Sequence, residues 1–177
     1  MKQLLSLLLC LSIIVPSMAK KEQRKQNVFP DGTPISEWFL QTKVVHPDSL
    51  GKKYDLSDYG IESNPHIVQT QKIQKIIDEA AANGGGVIYI PEGIYKSGSL
   101  FFKQGTHLYL SKGATLLGSE NIMDFPLLMT RIEGEYCKYF GALINADGLD
   151  TFTISGKGTI DGNGTPYWKA FRLLREW

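Results

Sequence analysis

The clearest periodic segment of the chain is an apolar stripe with helical spacing. Its members fall at positions i, i+3, i+4, i+7 and i+8, and they are Ile73, Ile76, Ile77, Ala80 and Ala81. Polar or charged residues occupy most positions between them, and Asn83-Gly84 supplies the left-handed stop signal that ends many helices. The spacing predicts one amphipathic helix with a single face to bury.

Beyond this stripe the pattern changes to short apolar or alternating runs. These runs cover residues 87–90, 99–102, 107–110, 115–117, 142–144, 152–154 and 159–160. Turn signals such as Lys112-Gly113 and Asp161-Gly162 separate them, and a helical pattern returns only in the last dozen residues. Short runs punctuated by glycine predict an all-β body that follows the helix.

Three consecutive glycines, Gly84-Gly85-Gly86, stand between the helix and the first run. A phosphate-binding loop requires a strand, then the glycines, then the N-terminus of a helix, whose free N–H groups bind the anion. Here the order is reversed, so the glycines lie beside the carbonyl groups at the negative end of the helix dipole. The sequence therefore predicts a hinge and excludes a nucleotide-binding loop.

Two segments of the β region match when the chain is shifted by 44 residues without gaps. Residues 107–119 (HLYLSKGATLLGS) overlie residues 151–163 (TFTISGKGTIDGN), with serine, threonine and apolar positions coinciding. Two coils of about 22 residues would give this shift, which predicts a β-solenoid. A β-sandwich stays as the alternative. In a solenoid, the helix can close the open end of the core as a cap.

The N-terminal segment has the layout of a secretory signal. Lys2 precedes an apolar run over residues 4–15, and small residues allow cleavage after Ala19. The predicted organisation is a signal at 1–19, a leader and irregular arm at 20–57, and a cap helix with β coils at 58–177. A membrane anchor is the alternative, but the run is short for a bilayer.

Net charge and cysteine content limit which binding partners and which disulfide bonds are expected. The formal net charge is +1, which gives no reason to expect a nucleic-acid or anionic-membrane partner. Signal cleavage would remove Cys10 and leave Cys137 alone, so no internal disulfide is expected. No cysteine–histidine cluster or spaced carboxylate set indicates a metal, and no cofactor is predicted.

Several motifs in order resemble one family. They are Asp58-Tyr59-Gly60, residues 69–100, HLYLSKGATLLGS and ISGKGTIDGNGTPYW (154–168), while FPDGTPISEWF (29–39) resembles an arm of bacterial members. Together they resemble the N-terminal part of polygalacturonase-like glycoside hydrolases of family 28. The resemblance implies a right-handed parallel β-helix, hydrolysis of galacturonosyl bonds in pectin, and a periplasmic or secreted location.

The same resemblance limits the activity expected of these 177 residues. The family's catalytic signatures are Asn-x-Asp, a paired Asp-Asp, Gly-His-Gly and Arg-x-Lys, which lie on later coils. The Asp-Asp pair, Gly-His-Gly and Arg-x-Lys are absent from the sequence. Inverting hydrolysis needs two carboxyl groups spaced around a water molecule. The chain is therefore interpreted as an inactive N-terminal fragment without catalytic residues of its own.

Three residues are candidates for contact with a pectic polysaccharide or oligogalacturonide. Arg131 and Glu135 lie in a charged, turn-rich insertion, where Arg131 could present its guanidinium group to a uronate carboxylate. The alternative is a surface arginine paired with Glu133 or Glu135. Trp168, with Tyr167, could form a stacking platform for a sugar ring, and ordinary packing is its alternative.

The sequence alone is also compatible with other functions. A non-catalytic β-helix for glycan binding or structure would continue without the catalytic carboxylates, and a truncated product would have no activity. A pectate lyase needs calcium, and Asp161 is the nearest candidate ligand, but Asp161-Gly162 is a stronger turn signal. The oligomeric state and the exact pectic substrate do not follow from the residues.

Overall fold

The computed structural model describes residues 28–40 and 44–175, with side chains to residue 173. The predicted signal and the leader at 20–27 lie outside the described residues. The chain divides into two compact units, one ending at Thr42 and one starting at Lys43. In the first unit, Val28 and Pro34 form an antiparallel bridge, and a 3-10 helix follows at Glu37–Leu40.

The second unit contains twelve strands and two α-helices within its described part. The helices are α1 (Thr70–Ala82) and α2 (Thr165–Arg175). The strands are β1 (Lys53–Asp55), β2 (Asn64–Val68), β3 (Gly86–Ile90), β4 (Gly93–Ser97), β5 (Leu100–Phe101), β6 (Thr106–Leu110), β7 (Ala114–Gly118), β8 (Leu127–Ile132), β9 (Glu135–Phe140), β10 (Ile144–Asn145), β11 (Ile154–Gly156) and β12 (Thr159–Asp161). Neither helix is long and apolar enough to cross a membrane.

Ten of these strands form three parallel sheets. The first has the order β1-β3-β6-β11, the second β2-β4-β7-β12, and the third pairs β5 with β10. Consecutive strands pass from one sheet to the next, and the chain then returns to the first sheet one layer higher. This is the arrangement of a parallel β-helix, and the predicted all-β solenoid is confirmed at this level. The stack starts with β1 at Lys53.

The core is a set of vertical columns of apolar side chains. Ile88, Leu108 and Ile154 stand in register in the first sheet, and Leu116 pairs with Ile160 in the second. Alternate residues of β6 and β7 point inward, which gives these two strands their buried–intermediate alternation. The sequence signal for β6 and β7 is this alternation.

The repeat of 44 residues has a different origin from the one predicted. Leu108 pairs directly with Ile154, and Thr115 pairs with Thr159, so the matched segments lie in adjacent coils. The expectation that the shift spans two coils of about 22 residues was wrong, because it spans one coil. Gly86 and Thr106 are register partners one coil apart, and the coil between them has no insertion. The following coil is lengthened by residues 119–143.

Helix α1 buries four of the five residues of the predicted stripe, and the fifth, Ala81, is half-buried. Ile73, Ile76, Ile77 and Ala80 are buried, and the helix contacts β3, β5 and β6. Its Gln74 side chain accepts a hydrogen bond from the Phe101 N–H at 2.8 Å and donates one to the Phe101 carbonyl at 2.9 Å. Gln74 therefore satisfies backbone groups of β5 on the side away from β10.

The glycine run joins α1 to β3 in the predicted order. Gly84, Gly85 and Gly86 have φ values of +88°, +100° and +144°, which L side chains rarely adopt. Gly85 also lies so close to the next coil that a Cβ atom there would stand 2.3 Å from the Gly105 carbonyl oxygen. The run thus combines a hinge with close backbone stacking between coils.

Candidate functional site

The inserted residues 119–143 project a two-stranded hairpin from the stack. Strands β8 and β9 pair antiparallel, from Leu127 opposite Phe140 to Ile132 opposite Glu135. Glu133 and Gly134 form the turn, with φ values of 52° and 94°, as in the two-residue turns that suit hairpins. The sequence predicted the turn and the insertion but not the strands, because both faces of the hairpin are largely exposed and the apolar pattern does not alternate.

The register places Arg131 and Glu135 on opposite faces of the hairpin. Side chains of directly paired residues share a face, and successive residues alternate between faces. One face carries Leu128, Thr130, Ile132, Glu135, Cys137 and Tyr139. The opposite face carries Leu127, Met129, Arg131, Tyr136, Lys138 and Phe140. The two predicted residues of the insertion therefore cannot contact one sugar from the same side.

Arg131 makes a local contact at the turn and no ion pair with its acidic neighbours. Its Nε atom donates a hydrogen bond of 3.3 Å to the Gly134 carbonyl. Among the described residues, neither Glu133 nor Glu135 lies within ion-pair distance of its guanidinium group. The alternative of a surface pair with either glutamate is wrong for this structure.

Trp168 lies beside the hairpin in an aromatic cleft. The cleft has a volume of about 300 Å³ and is lined by Tyr139, Gly164, Tyr167, Trp168 and Phe171. The Trp168 side chain is 63% exposed, and its ring meets that of Phe171 edge to face at 6.0 Å. Tyr139 and Phe171 were missed from the sequence because they enter the cleft only once the hairpin and α2 are placed together.

Hydrogen bonds to the stack fix the position of the cleft. The Tyr167 hydroxyl donates to the Ser119 carbonyl at 2.7 Å, and Asn163 Nδ2 donates to the Gly118 carbonyl at 3.1 Å. Burial raises the pKa of the Tyr167 phenol, with a smaller contribution from Asp124, so the hydroxyl stays a donor at neutral pH. The first turn of α2 is thereby attached to the end of β7.

A half-buried ion pair lies close to this attachment. The Lys96 side chain is buried, and its Nζ atom stands 3.0 and 2.8 Å from the two carboxylate oxygens of Glu120. Hydrogen bonding from Lys96 lowers the pKa of Glu120, and the carboxylate is ionised at neutral pH. The contact joins β4 to the start of the insertion that carries the hairpin.

Asp161 and Asn145 both hydrogen-bond the backbone. Asp161 accepts the Asn163 N–H at 2.8 Å, which confirms the predicted turn. Asn145-Ala146-Asp147 has the letters of the Asn-x-Asp signature, but the Asn145 amide bonds the Leu100 and Ala142 carbonyls and stabilises the backbone. No group of three or more His, Cys, Asp or Glu residues suited to a metal occurs among the described residues.

Comparison with known proteins gives several relatives. The chain is 34% identical over 152 residues to an exo-poly-alpha-D-galacturonosidase of Dickeya chrysanthemi, an alignment that covers 81% of this chain and 24% of that protein. It is 37% identical over 129 residues to the plasmin and fibronectin-binding protein A of Streptococcus pneumoniae, covering 71% of this chain and 17% of that one. No family model matches the chain.

The structure also resembles solved enzymes. It superposes on the family 28 exopolygalacturonase of Yersinia enterocolitica with a TM-score of 0.56 and 33% sequence identity. The match covers 63% of this chain and 21% of that structure. The chain thus spans about a quarter or less of the length of each of these three proteins.

Proposed function

We propose that this relative of the family 28 polygalacturonases supplies the N-terminal coils of a hydrolase that cleaves galacturonosyl bonds in pectin. Its similarity to the Dickeya enzyme over most of the chain is the observation that carries the proposal. An inverting mechanism requires an acid and a base about 6.5–9.5 Å apart. In this proposal both carboxylates lie on coils outside these residues, and the chain contributes scaffold and substrate contacts.

The exposed end of the stack of coils supports the assignment of the catalytic carboxylates to other coils. Leu108 and Leu116 are fully buried, whereas Ile154 and Ile160, which stand above them in the next coil, are 47% and 43% exposed. Further parallel coils would cover these residues and pair with the free edges of β11 and β12. We infer that the catalytic coils of the enzyme occupy this position.

The 177-residue chain alone is expected to hydrolyse polygalacturonate no faster than a blank. Without a paired acid and base it cannot protonate the leaving group and activate water together. A reducing-sugar assay measures this, with the Dickeya enzyme as positive control. Turnover by the chain alone would contradict the assignment of the catalytic carboxylates to other coils.

Helix α1 is proposed to act as the N-terminal cap of a right-handed β-helix. The cap role is supported by its buried stripe over the core and by the hydrogen bonds of Gln74 to Phe101. A helix at this position prevents strand addition at the β5 edge, since the edge groups already have partners. The cap is thus proposed to keep the solenoid monomeric at its N-terminal end.

The aromatic cleft around Trp168 is proposed to stack a sugar ring of the substrate. Trp168 offers an apolar face next to Tyr139, and both side chains are more than half exposed. Burying an exposed aromatic face contributes roughly 1–2 kcal/mol at about 25 cal/mol per Å². Glu135, on the hairpin face that carries Tyr139, stays a prediction as a polar contact at this cleft.

Trp168→Ala is expected to weaken binding of an oligogalacturonide about 5- to 30-fold, the equivalent of that stacking energy. Isothermal titration calorimetry measures the change. Leu173→Ala is the matched control, because Leu173 is 63% exposed on the same helix but does not line the cleft. If both variants bound the oligogalacturonide equally well, the cleft would not be part of the substrate-binding site.

A second candidate function is binding without catalysis. It is favoured by the similarity to a streptococcal protein named for plasmin and fibronectin binding. A β-helix of this kind would use the hairpin and the cleft as an adhesive surface. Surface plasmon resonance against immobilised plasmin, fibronectin and polygalacturonate distinguishes the candidates, because a pectin hydrolase should prefer the polysaccharide.

The protein is proposed to work in the periplasm or outside the cell. The support is the signal-like sequence at 1–19, and cleavage after Ala19 stays a prediction. N-terminal sequencing of the exported protein decides it. Pectin is too large to enter a cytoplasm, so an extracytoplasmic location is consistent with the proposed substrate.

A further inference from the structure

We propose that a groove between helix α1 and the start of the insertion binds a neutral sugar unit, such as a side-chain residue of pectin. The groove has a volume of about 380 Å³, and its walls include Gln71, Gln74, Lys75, Asp78, Ser99 and Phe101. It shares no lining residue with the aromatic cleft around Trp168. The choice of a pectic sugar rests on the proposed function, whereas the neutral charge of the ligand follows from the groove itself.

A buried serine hydroxyl at the groove lacks a hydrogen-bond partner. Ser99 is only 4% exposed, and its Oγ atom has no partner among the described residues. Its N–H group, in contrast, donates to the Asp124 carbonyl at 3.2 Å. Buried polar side chains usually have a partner, so an exception in the wall of a groove is a candidate contact for a ligand. A sugar hydroxyl can donate to the Ser99 hydroxyl or accept from it.

Helix α1 contributes two further polar groups that are free to bind. Gln71 and Lys75 stand one helical turn apart and therefore share a face of the helix. Both are exposed, and neither side chain has a hydrogen bond or an ion pair within the described part of the chain. An amide and an ammonium group together offer donors and an acceptor to the hydroxyl groups of a sugar.

Neighbouring contacts hold the rest of the wall in place. Gln74 Nε2 donates to Asp78 Oδ1 at 3.0 Å and to the Phe101 carbonyl at 2.9 Å. Lys103 Nζ lies 2.8 Å from the same Asp78 oxygen, so both contacts use Oδ1 and leave Oδ2 as an acceptor. Side chains that are already fixed lose little conformational entropy when a ligand binds.

The charges at the groove favour a neutral ligand over a uronate. Asp78 and Asp124 contribute two carboxylates, and Lys75 is the only cation among the described residues that line the groove. Hydrogen bonding from Lys103 lowers the pKa of Asp78, so this carboxylate is ionised at neutral pH. A uronate would bring a further negative charge close to these two acids, and the repulsion would weaken its binding.

An aromatic side chain supplies the apolar part of the site. Leu100 is fully buried in the core, and the alternation along β5 therefore turns Phe101 to the outer side, where it is half-buried. Its ring can cover the C–H face of a sugar while the polar groups bind the hydroxyls. Apolar walls with a few placed polar groups and volumes of roughly 300–1,000 Å³ are typical of small-molecule sites.

The test is an NMR titration of the isotope-labelled chain with β-1,4-galactobiose, a neutral disaccharide, and with digalacturonate as its charged counterpart. Galactobiose should shift the amide signals of Gln71, Ser99 and Phe101, which line the groove. Digalacturonate should bind there at least about 5-fold more weakly, because of the two carboxylates in the wall.

Ser99→Ala should weaken binding of galactobiose about 3- to 10-fold without lowering the urea midpoint, because its hydroxyl has no partner in the described part of the protein. Gln71→Ala should give a loss of similar size. Ser111→Ala is the matched control and should bind normally, since its Oγ atom is also buried without a partner but Ser111 does not line the groove. A lower midpoint for Ser99→Ala with unchanged binding would make the hydroxyl structural and the inference wrong.

Three other results would also overturn the inference: no shifts at the groove with galactobiose, equally tight binding of digalacturonate there, or normal binding by both Ser99→Ala and Gln71→Ala. Hydrolysis of polygalacturonate by an enzyme that includes the later coils tests the proposed function separately. Hydrolysis by that enzyme, with no galactobiose bound at the groove, would exclude the sugar site alone. Bound galactobiose without hydrolysis would exclude the proposed function and leave the groove as a neutral-sugar site.

Discussion

Replacing Gly85 with alanine is expected to destabilise the β-helix by more than about 4 kcal/mol, which is enough to prevent folding of a marginal domain. The added Cβ atom would stand 2.3 Å from the Gly105 carbonyl oxygen, and the backbone φ of +100° is itself unfavourable for alanine. That carbonyl cannot retreat freely, because it accepts the Gly86 N–H at 2.9 Å. Urea denaturation followed by circular dichroism measures the loss.

Gly84→Ala provides the matched control within the same tripeptide. Gly84 has a φ of +88°, but a Cβ atom there has no neighbour within 4 Å. Alanine at this position should cost only the strain of a left-handed backbone, about 1–2 kcal/mol. If the two variants had the same midpoint, the close approach between the coils would not exist and the glycine run would be a hinge alone.

The fold could be predicted where the order of apolar and polar residues along the chain shows which side chains face the core. Helix α1 was predicted because its apolar residues share one face, and β6 and β7 because their short apolar or alternating runs are bounded by turn signals. Strand β4 was missed because Gly93 resembles a turn and because Lys96 and Ser97 are polar although buried. Burial of Lys96 depends on Glu120 in the next coil, which no local pattern reveals.

The candidate site depended more on tertiary structure than the fold did. Arg131 and Trp168 were selected because each is a conspicuous residue type in a suitable segment. Their surroundings were not predictable, since Lys138 joins Arg131 only through the hairpin register and Tyr139 meets Trp168 only through the packing of α2. The interpretation of the 44-residue shift as two coils was wrong for the same reason. A long insertion within one coil gives the same shift in the sequence as an additional coil.

Ile77→Ala is expected to lower the free energy of unfolding by about 3–4 kcal/mol, within the range for deletion of buried isoleucine side chains. Ile77 is fully buried, and it packs in the core cluster that continues through Ile88 and Leu108. A cavity at this point weakens the contact between the helix and the first complete coil. Since the helix closes the core in the cap proposal, the variant should also expose the core and bind a hydrophobic dye.

Ile67→Ala separates loss of the cap from loss of an isoleucine in general. Ile67 lies on β2 and is 56% exposed, so its truncation should cost less than about 1 kcal/mol and leave dye binding unchanged. Equal destabilisation by the two variants would mean that α1 contributes little to the core. The proposal that α1 caps the β-helix would then be wrong. A large loss at Ile77 alone would show that the stack derives its N-terminal stability from the helix, because strand pairing by itself leaves the apolar columns open to water.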